Sequence, residues 1–172
     1  MEITNKMTKE ISILAKSMSI DGKSKRGGKQ DVRTPHDLFF ELHSQFVFDL
    51  DPCDSREKPG WLEIPSFNLD DGEDGLKMDW YPNVFINPPW ADIQPWIDKA
   101  EHELSMGHSR LVVFLVPNRT ETKWYHSLLE SDYLLTYRFL KKRVHFDGQK
   151  GPYVTGIGIF VLWQFDGTGD YL

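Results

Sequence analysis

Asn87-Pro88-Pro89-Trp90 concentrates more chemistry in four positions than any other part of this 172-residue chain. The two prolines fix φ and remove two backbone donors, which leaves the carbonyls around them as outward-pointing acceptors. Asn87 adds a side-chain carbonyl acceptor. Two neighbouring acceptors suit an exocyclic amino group, because they hold its two hydrogens while its nitrogen lone pair turns toward an electrophile. Trp90 offers a flat face for a planar ring. The plainer alternative is a strand-ending turn with a packed tryptophan. Val84-Phe85-Ile86 just before it reads as a short buried strand, and open α/β sheets bind ligands at the carboxyl ends of their strands.

A second grouping is acidic. Between residues 49 and 79, ten acids, among them Asp49, Asp51 and Asp74, stand against three bases. Such a segment draws a positively charged ligand and repels a polyanion. Residues 1–30 have the opposite character, with seven bases against three acids, so residues 31–172 carry 13 bases, 23 acids and a net charge of −10. That balance argues against a general nucleic-acid coat protein. Arg119, Lys123, Lys141, Lys142 and Arg143 are the bases closest in sequence to the tetrapeptide, and they either contact phosphate or form a solvated surface. The histidines lack zinc spacing, so no metal is expected. Cys53, the single cysteine, cannot form an internal disulfide and reads as a packed residue rather than a nucleophile. No stretch approaches the ~20 apolar residues of a membrane span, and the first 30 residues lack a signal-peptide core, so a soluble cytoplasmic protein is expected.

These residues need elements to hold them. With 40% hydrophobic residues the chain can fold, and its length suits one core. Ile3, Met7, Ile11, Leu14 and Met18 form a narrow helical stripe, followed by a Gly/Ser/Lys linker over residues 21–30; residues 1–30 therefore read as a basic arm and residues 31–172 as the folded domain. Thr34 is expected to cap a helix with Pro35 at its first position and Leu38, Phe39 and Leu42 on its apolar face. Residues 46–51 read as a strand and residues 52–83 as a long functional loop. Ile93, Trp96, Ile97, Ala100 and Leu104 predict a helix stopping at Gly107. The apolar run 111–116 is a strand buried on both faces, and Thr120 is expected to cap a further helix. Strands follow at 133–140, 143–146 and 155–165. The fold class is α/β: an open, mostly parallel sheet with helices on both faces and an antiparallel C-terminal strand hairpin.

In order along the chain, Thr34-Pro35, Phe48-Asp49-Leu50-Asp51-Pro52-Cys53, Asp74-Gly75-Leu76, Trp80 and the Asn-Pro-Pro-Trp tetrapeptide resemble the small phage-type Dam family of DNA N6-adenine methyltransferases. The likeness continues through Trp96, Lys99-Ala100, Val116-Pro117-Asn118-Arg119-Thr120, Thr122, Trp124 and Arg143-Val144-His145-Phe146, covering residues 33–163. It implies an enzyme of phage or prophage origin, active in the cytoplasm of a bacterial host, that uses S-adenosylmethionine on the Rossmann-like class I methyltransferase fold. Under it, Thr34 and Pro35 lie near the cofactor's methionine end. Asp49, Asp51 and Pro52 close the first strand beside it, and Asp74 and Leu76 sit near its adenine. Asn87 borders both cofactor and target, and Asn87, Pro88, Pro89 and Trp90 grip the adenine to be methylated. The Gly-rich turn of larger methyltransferases is absent after residue 51; Asp166-Gly167-Thr168-Gly169-Asp170 follows a strand but reads as a tail.

The tetrapeptide alone leaves other acceptors open: RNA adenine, cytosine N4 or a glutamine amide. A non-enzymatic acidic mimic of DNA is the remaining alternative. No segment is long enough for a separate target-recognition domain. A short or relaxed DNA preference is therefore expected, or recognition completed by the basic arm or by a second copy in a homodimer.

Overall fold

The computed structural model describes residues 33–53, 63–147 and 150–165. The basic arm of residues 1–30 and the glycine-rich run 166–170 lie outside the described residues.

Helix α1 (His36–Phe46) buries Phe39, Leu42 and Phe46, one apolar stripe at helical spacing. Pro35, not Thr34, occupies the cap position, and no side chain caps the helix; Thr34 is instead buried. The helix runs through Phe46, which shortens the strand expected at 46–51. Val47 ends it in the left-handed region at φ 48°, where an L side chain costs about 1–2 kcal/mol. Local hydrogen bonds offset this: Asn83 Nδ2 donates to the Val47 carbonyl at 3.0 Å, and the Phe48 N–H donates to His43 Nδ1 at 3.1 Å.

Four strands follow: β1 (Asn83–Ile86), β2 (Leu111–Pro117), β3 (Leu134–Phe139) and β4 (Ile157–Trp163), in spatial order β1-β2-β4-β3. Helix α2 (Gln94–Met106) connects β1 to β2 and stops at Gly107, as its apolar spacing predicts. Helix α3 (Lys123–Leu129) follows β2, and its cap position is Thr122 rather than Thr120. The β1–β2 pair is parallel, whereas β4 runs antiparallel to both neighbours. The expected mostly parallel sheet is thus an open mixed one, with the antiparallel strand inside it. Burial explains the placement: residues 157–162 are all buried, while most of β3 is exposed, so β3 suits an edge. Residues 143–146 form no strand.

Beside β1 the parallel pattern continues without full strands. Phe85 N–H donates to the Leu50 carbonyl, and Asp51 exchanges backbone bonds with Pro65 and Phe67. Phe39 of α1 meets Phe85 edge-on at 5.4 Å, and Tyr125 of α3 meets Phe160 edge-on at 5.3 Å. Register puts Phe85 beside Val113 and Val161, and Phe160 beside Phe114. Neighbouring residues along a strand point to opposite faces, so α1 and α3 cover opposite faces.

The register also defines a working end. Pro117 at the end of β2 faces Ile157 at the start of β4, and Phe139 at the end of β3 faces Gly158. Residues 87–90, 118–122 and 140–156 all leave the sheet there. No helix among the described residues is long and apolar enough to cross a membrane.

Candidate active site

Asn87 to Trp90 leave the carboxyl end of β1 and turn immediately. Trp90 Nε1 donates to Asn87 Oδ1 at 3.2 Å, which orients the asparagine amide. The tryptophan is only 5% exposed. Its ring meets Phe146 at 5.0 Å and Tyr153 at 4.4 Å, both edge-on. The flat face anticipated for a target ring is therefore covered by aromatic neighbours. Phe146 belongs to the Arg-Val-His-Phe run, and it also brings Thr34 and Pro35 to this end: the Asp147 N–H donates to the Arg33 carbonyl at 3.1 Å.

A second corner forms at the neighbouring strand end. Asp51 is 9% exposed, and its Oδ1 accepts from the Cys53 N–H at 3.1 Å. Asp74 Oδ1 accepts from the Leu76 N–H at 3.1 Å, and Lys77 pairs with its other oxygen. Gly75 lies so close to Pro52 that a Cβ there would come within 1.9 Å of the Pro52 carbonyl oxygen. Only glycine permits that approach, which joins the 74–76 turn to the 51–53 turn. Asp51, Pro52, Asp74 and Leu76 are thus brought together from positions more than twenty residues apart. Asp49 is not among them: its Oδ2 accepts from the Asn83 N–H at 3.1 Å, at the amino end of β1.

Trp80 and α2 anchor this corner. Trp80 Nε1 donates to the Gly75 carbonyl at 2.7 Å, and its ring stacks near Trp96 with Lys99 above it. Its backbone N–H donates to Glu103 Oε2 at 3.0 Å. Glu103 is fully buried, is ion-paired to Lys99 and lies 3.0 Å from His108 Nδ1. Burial alone would raise its pKa, but Lys99, the Trp80 N–H and His108 outweigh it and hold the carboxyl below its ordinary range. Glu103 is a further site residue, and its signal in the sequence is an acid between Ala100 and Leu104 on an apolar helix face. Asp79, Glu103 and His108 approach closely enough to form a cation-ligand cluster. They come from separate elements, so spacing could not reveal them. The Lys99 ammonium already sits against Glu103, and its positive charge opposes a cation there.

The basic candidates gather at the working end. Arg119 follows β2, Lys123 begins α3, and Lys141, Lys142 and Arg143 follow β3 as exposed residues. Tyr153 was invisible to sequence reasoning, since nothing in its neighbourhood along the chain marks it.

A sequence model of the family described as DNA N-6-adenine-methyltransferase (Dam) matches residues 22–150. No curated protein matches the chain. Among solved structures, a Pyrococcus horikoshii protein provisionally described as an RNA methyltransferase is similar, with 14% identity and a TM-score of 0.42. The alignment covers 74% of this chain and 57% of that one.

Proposed function

Because the chain belongs to the Dam family of DNA N-6-adenine-methyltransferases, we propose that it transfers a methyl group from S-adenosylmethionine to the N6 of an adenine in DNA. The observation that carries the reading is the meeting, at one end of the sheet, of an oriented Asn87 amide and an acid-lined corner built from residues 51–53 and 74–76. Family membership implies the cofactor, and the donor set suits it: Asp51 and Asp74 offer carboxylates to a ligand bearing ammonium and sulfonium charge. Pro52 and Leu76 supply apolar surface beside them. When bound, S-adenosylmethionine supplies an electrophilic methyl group on sulfur.

The protein's part is positioning. The adenine leaves the duplex, because N6 cannot reach the methyl carbon within the stack. Asn87 Oδ1 and the Pro88 carbonyl accept the two N6 hydrogens and turn the nitrogen lone pair toward the methyl carbon. Held at the corner of residues 51–53 and 74–76, S-adenosylmethionine would supply both the methyl carbon and the sulfur that keeps the C–S electron pair, and N6 would release its proton to solvent. Proximity and alignment supply much of the rate. Trp90 keeps Asn87 in place through its indole N–H. Arg119, Lys123 and Lys141 to Arg143 contact phosphates around the extruded base. Residues 31–172 act as the catalytic domain, with the basic arm of residues 1–30, or a second copy of the chain, completing DNA recognition.

The test is methyl incorporation into DNA, RNA and protein, followed by nucleoside analysis. N6-methyladenine in DNA is the expected product, and Asn87→Ala should abolish it while leaving cofactor affinity near wild type. N4-methylcytosine as the product, or near wild-type turnover by Asn87→Ala, would overturn the reading.

A further inference from the structure

We propose that Tyr153 occupies the target base's place against Trp90, so that an incoming adenine must displace it and take over its contacts. The inference rests on the proposed capture of adenine at Asn87. Trp90 is 5% exposed in this structure, and Phe146 and Tyr153 both meet its ring edge-on. A base can stack there only where one of these two withdraws. Phe146 is 2% exposed, next to a residue paired with Arg33. Tyr153 is only half-buried, between exposed Pro152 and Val154, the latter 79% exposed. Gly151, at φ 103°, turns the chain just before it. Its N–H donates to the Val144 carbonyl and its ring packs at the edge of the core, but with exposed residues on either side it opens at lower cost than the buried Phe146, which makes Tyr153 the ring that yields.

The exchange sets a threshold for entry. Withdrawing Tyr153 forfeits an aromatic pair, and the entering base recovers it by stacking. A two-ring purine recovers more than a one-ring pyrimidine, so Tyr153 favours adenine over cytosine at a site whose acceptors would hold either amino group.

Tyr153→Ala, Tyr153→Leu and Tyr153→Phe in the full chain test this, with steady-state methylation of DNA by the wild type as reference. Removing the ring should lower the DNA Michaelis constant roughly threefold to tenfold with kcat little changed, as expected for loss of one aromatic pair. Tyr153→Phe keeps the ring and should match wild type. Free 9-methyladenine should raise the melting temperature of Tyr153→Ala but not of wild type. Tyr153→Leu, which removes the aromatic ring but keeps an apolar side chain for folding, carries the same reading should Tyr153→Ala fail to fold. A raised Michaelis constant would make Tyr153 a stacking partner of the base, and an unchanged one in both variants would leave it no part in base entry; either result overturns the inference. Failure of the wild-type chain to methylate DNA would instead remove the proposed function itself.

Discussion

Glu103→Gln tests whether the buried acid of α2 holds the cofactor corner in place. The carboxylate is fully buried, pairs with Lys99 and accepts from the Trp80 N–H, and Trp80 in turn donates to the Gly75 carbonyl. Removing one partner of a buried ion pair costs about 3–5 kcal/mol. Glutamine keeps the volume and one acceptor and avoids burying a charge of its own, so about 2–3 kcal/mol of lost stability is expected. Each kcal/mol moves the melting temperature of a domain this size by about 2–4 °C, which predicts melting about 4–12 °C below wild type. Because interactions hold the Glu103 pKa below its ordinary value of 4.5, the unfolded chain binds more protons on acidification past that value. The stabilisation is therefore complete above about pH 5 and is lost as pH falls through the lower folded-state value. Circular dichroism melting at neutral and acid pH should show the gap between variant and wild type narrowing below pH 4.5. Calorimetric titration, at a temperature where both are folded, should show weaker S-adenosylmethionine binding by the variant. Melting within about 2 °C of wild type at neutral pH would refute the energetic reasoning, and unchanged cofactor affinity in a destabilised variant would refute the link to the corner.

Gly75→Ala should be more damaging to the corner than to the core, since its Cβ cannot coexist with the Pro52 carbonyl; loss of cofactor binding with near-native circular dichroism is the expected result, and wild-type affinity would show that the two turns need not touch. Asp51→Asn keeps the acceptor for the Cys53 N–H but removes a charge, so cofactor binding should weaken by roughly 1.5–3 kcal/mol, whereas Asp49→Asn should mainly lower the melting temperature; calorimetry and melting curves separate the two. Deleting residues 1–30 removes four net positive charges and should reduce DNA affinity and its salt dependence more than cofactor affinity, as measured by DNA binding across a salt series.

The sequence by itself determined the elements whose residues repeat at a period or run without interruption. The spacing of Ile93, Trp96, Ile97, Ala100 and Leu104 predicts a helix with one buried face, and the short, Val-rich run Leu111 to Val116 predicts a strand buried on both. It also determined that Asn87 follows a strand end, because the prolines stop the ladder there. Tertiary structure decided what depends on partners distant along the chain. β4 lies between β2 and β3 because residues 157–162 are buried while those of β3 are largely exposed, a choice made by packing and not by order along the chain. Asp49 and Asp51 differ by two residues and look alike in sequence, yet register gives one to Asn83 at the amino end of β1 and leaves the other in the turn whose Pro52 meets Gly75. Trp90 reads as an open stacking face until the chain some sixty residues later folds Tyr153 and Phe146 over it. A side chain's type is local, but its solvent exposure and its hydrogen-bond partners are set by groups that only the closed fold brings within a few ångströms.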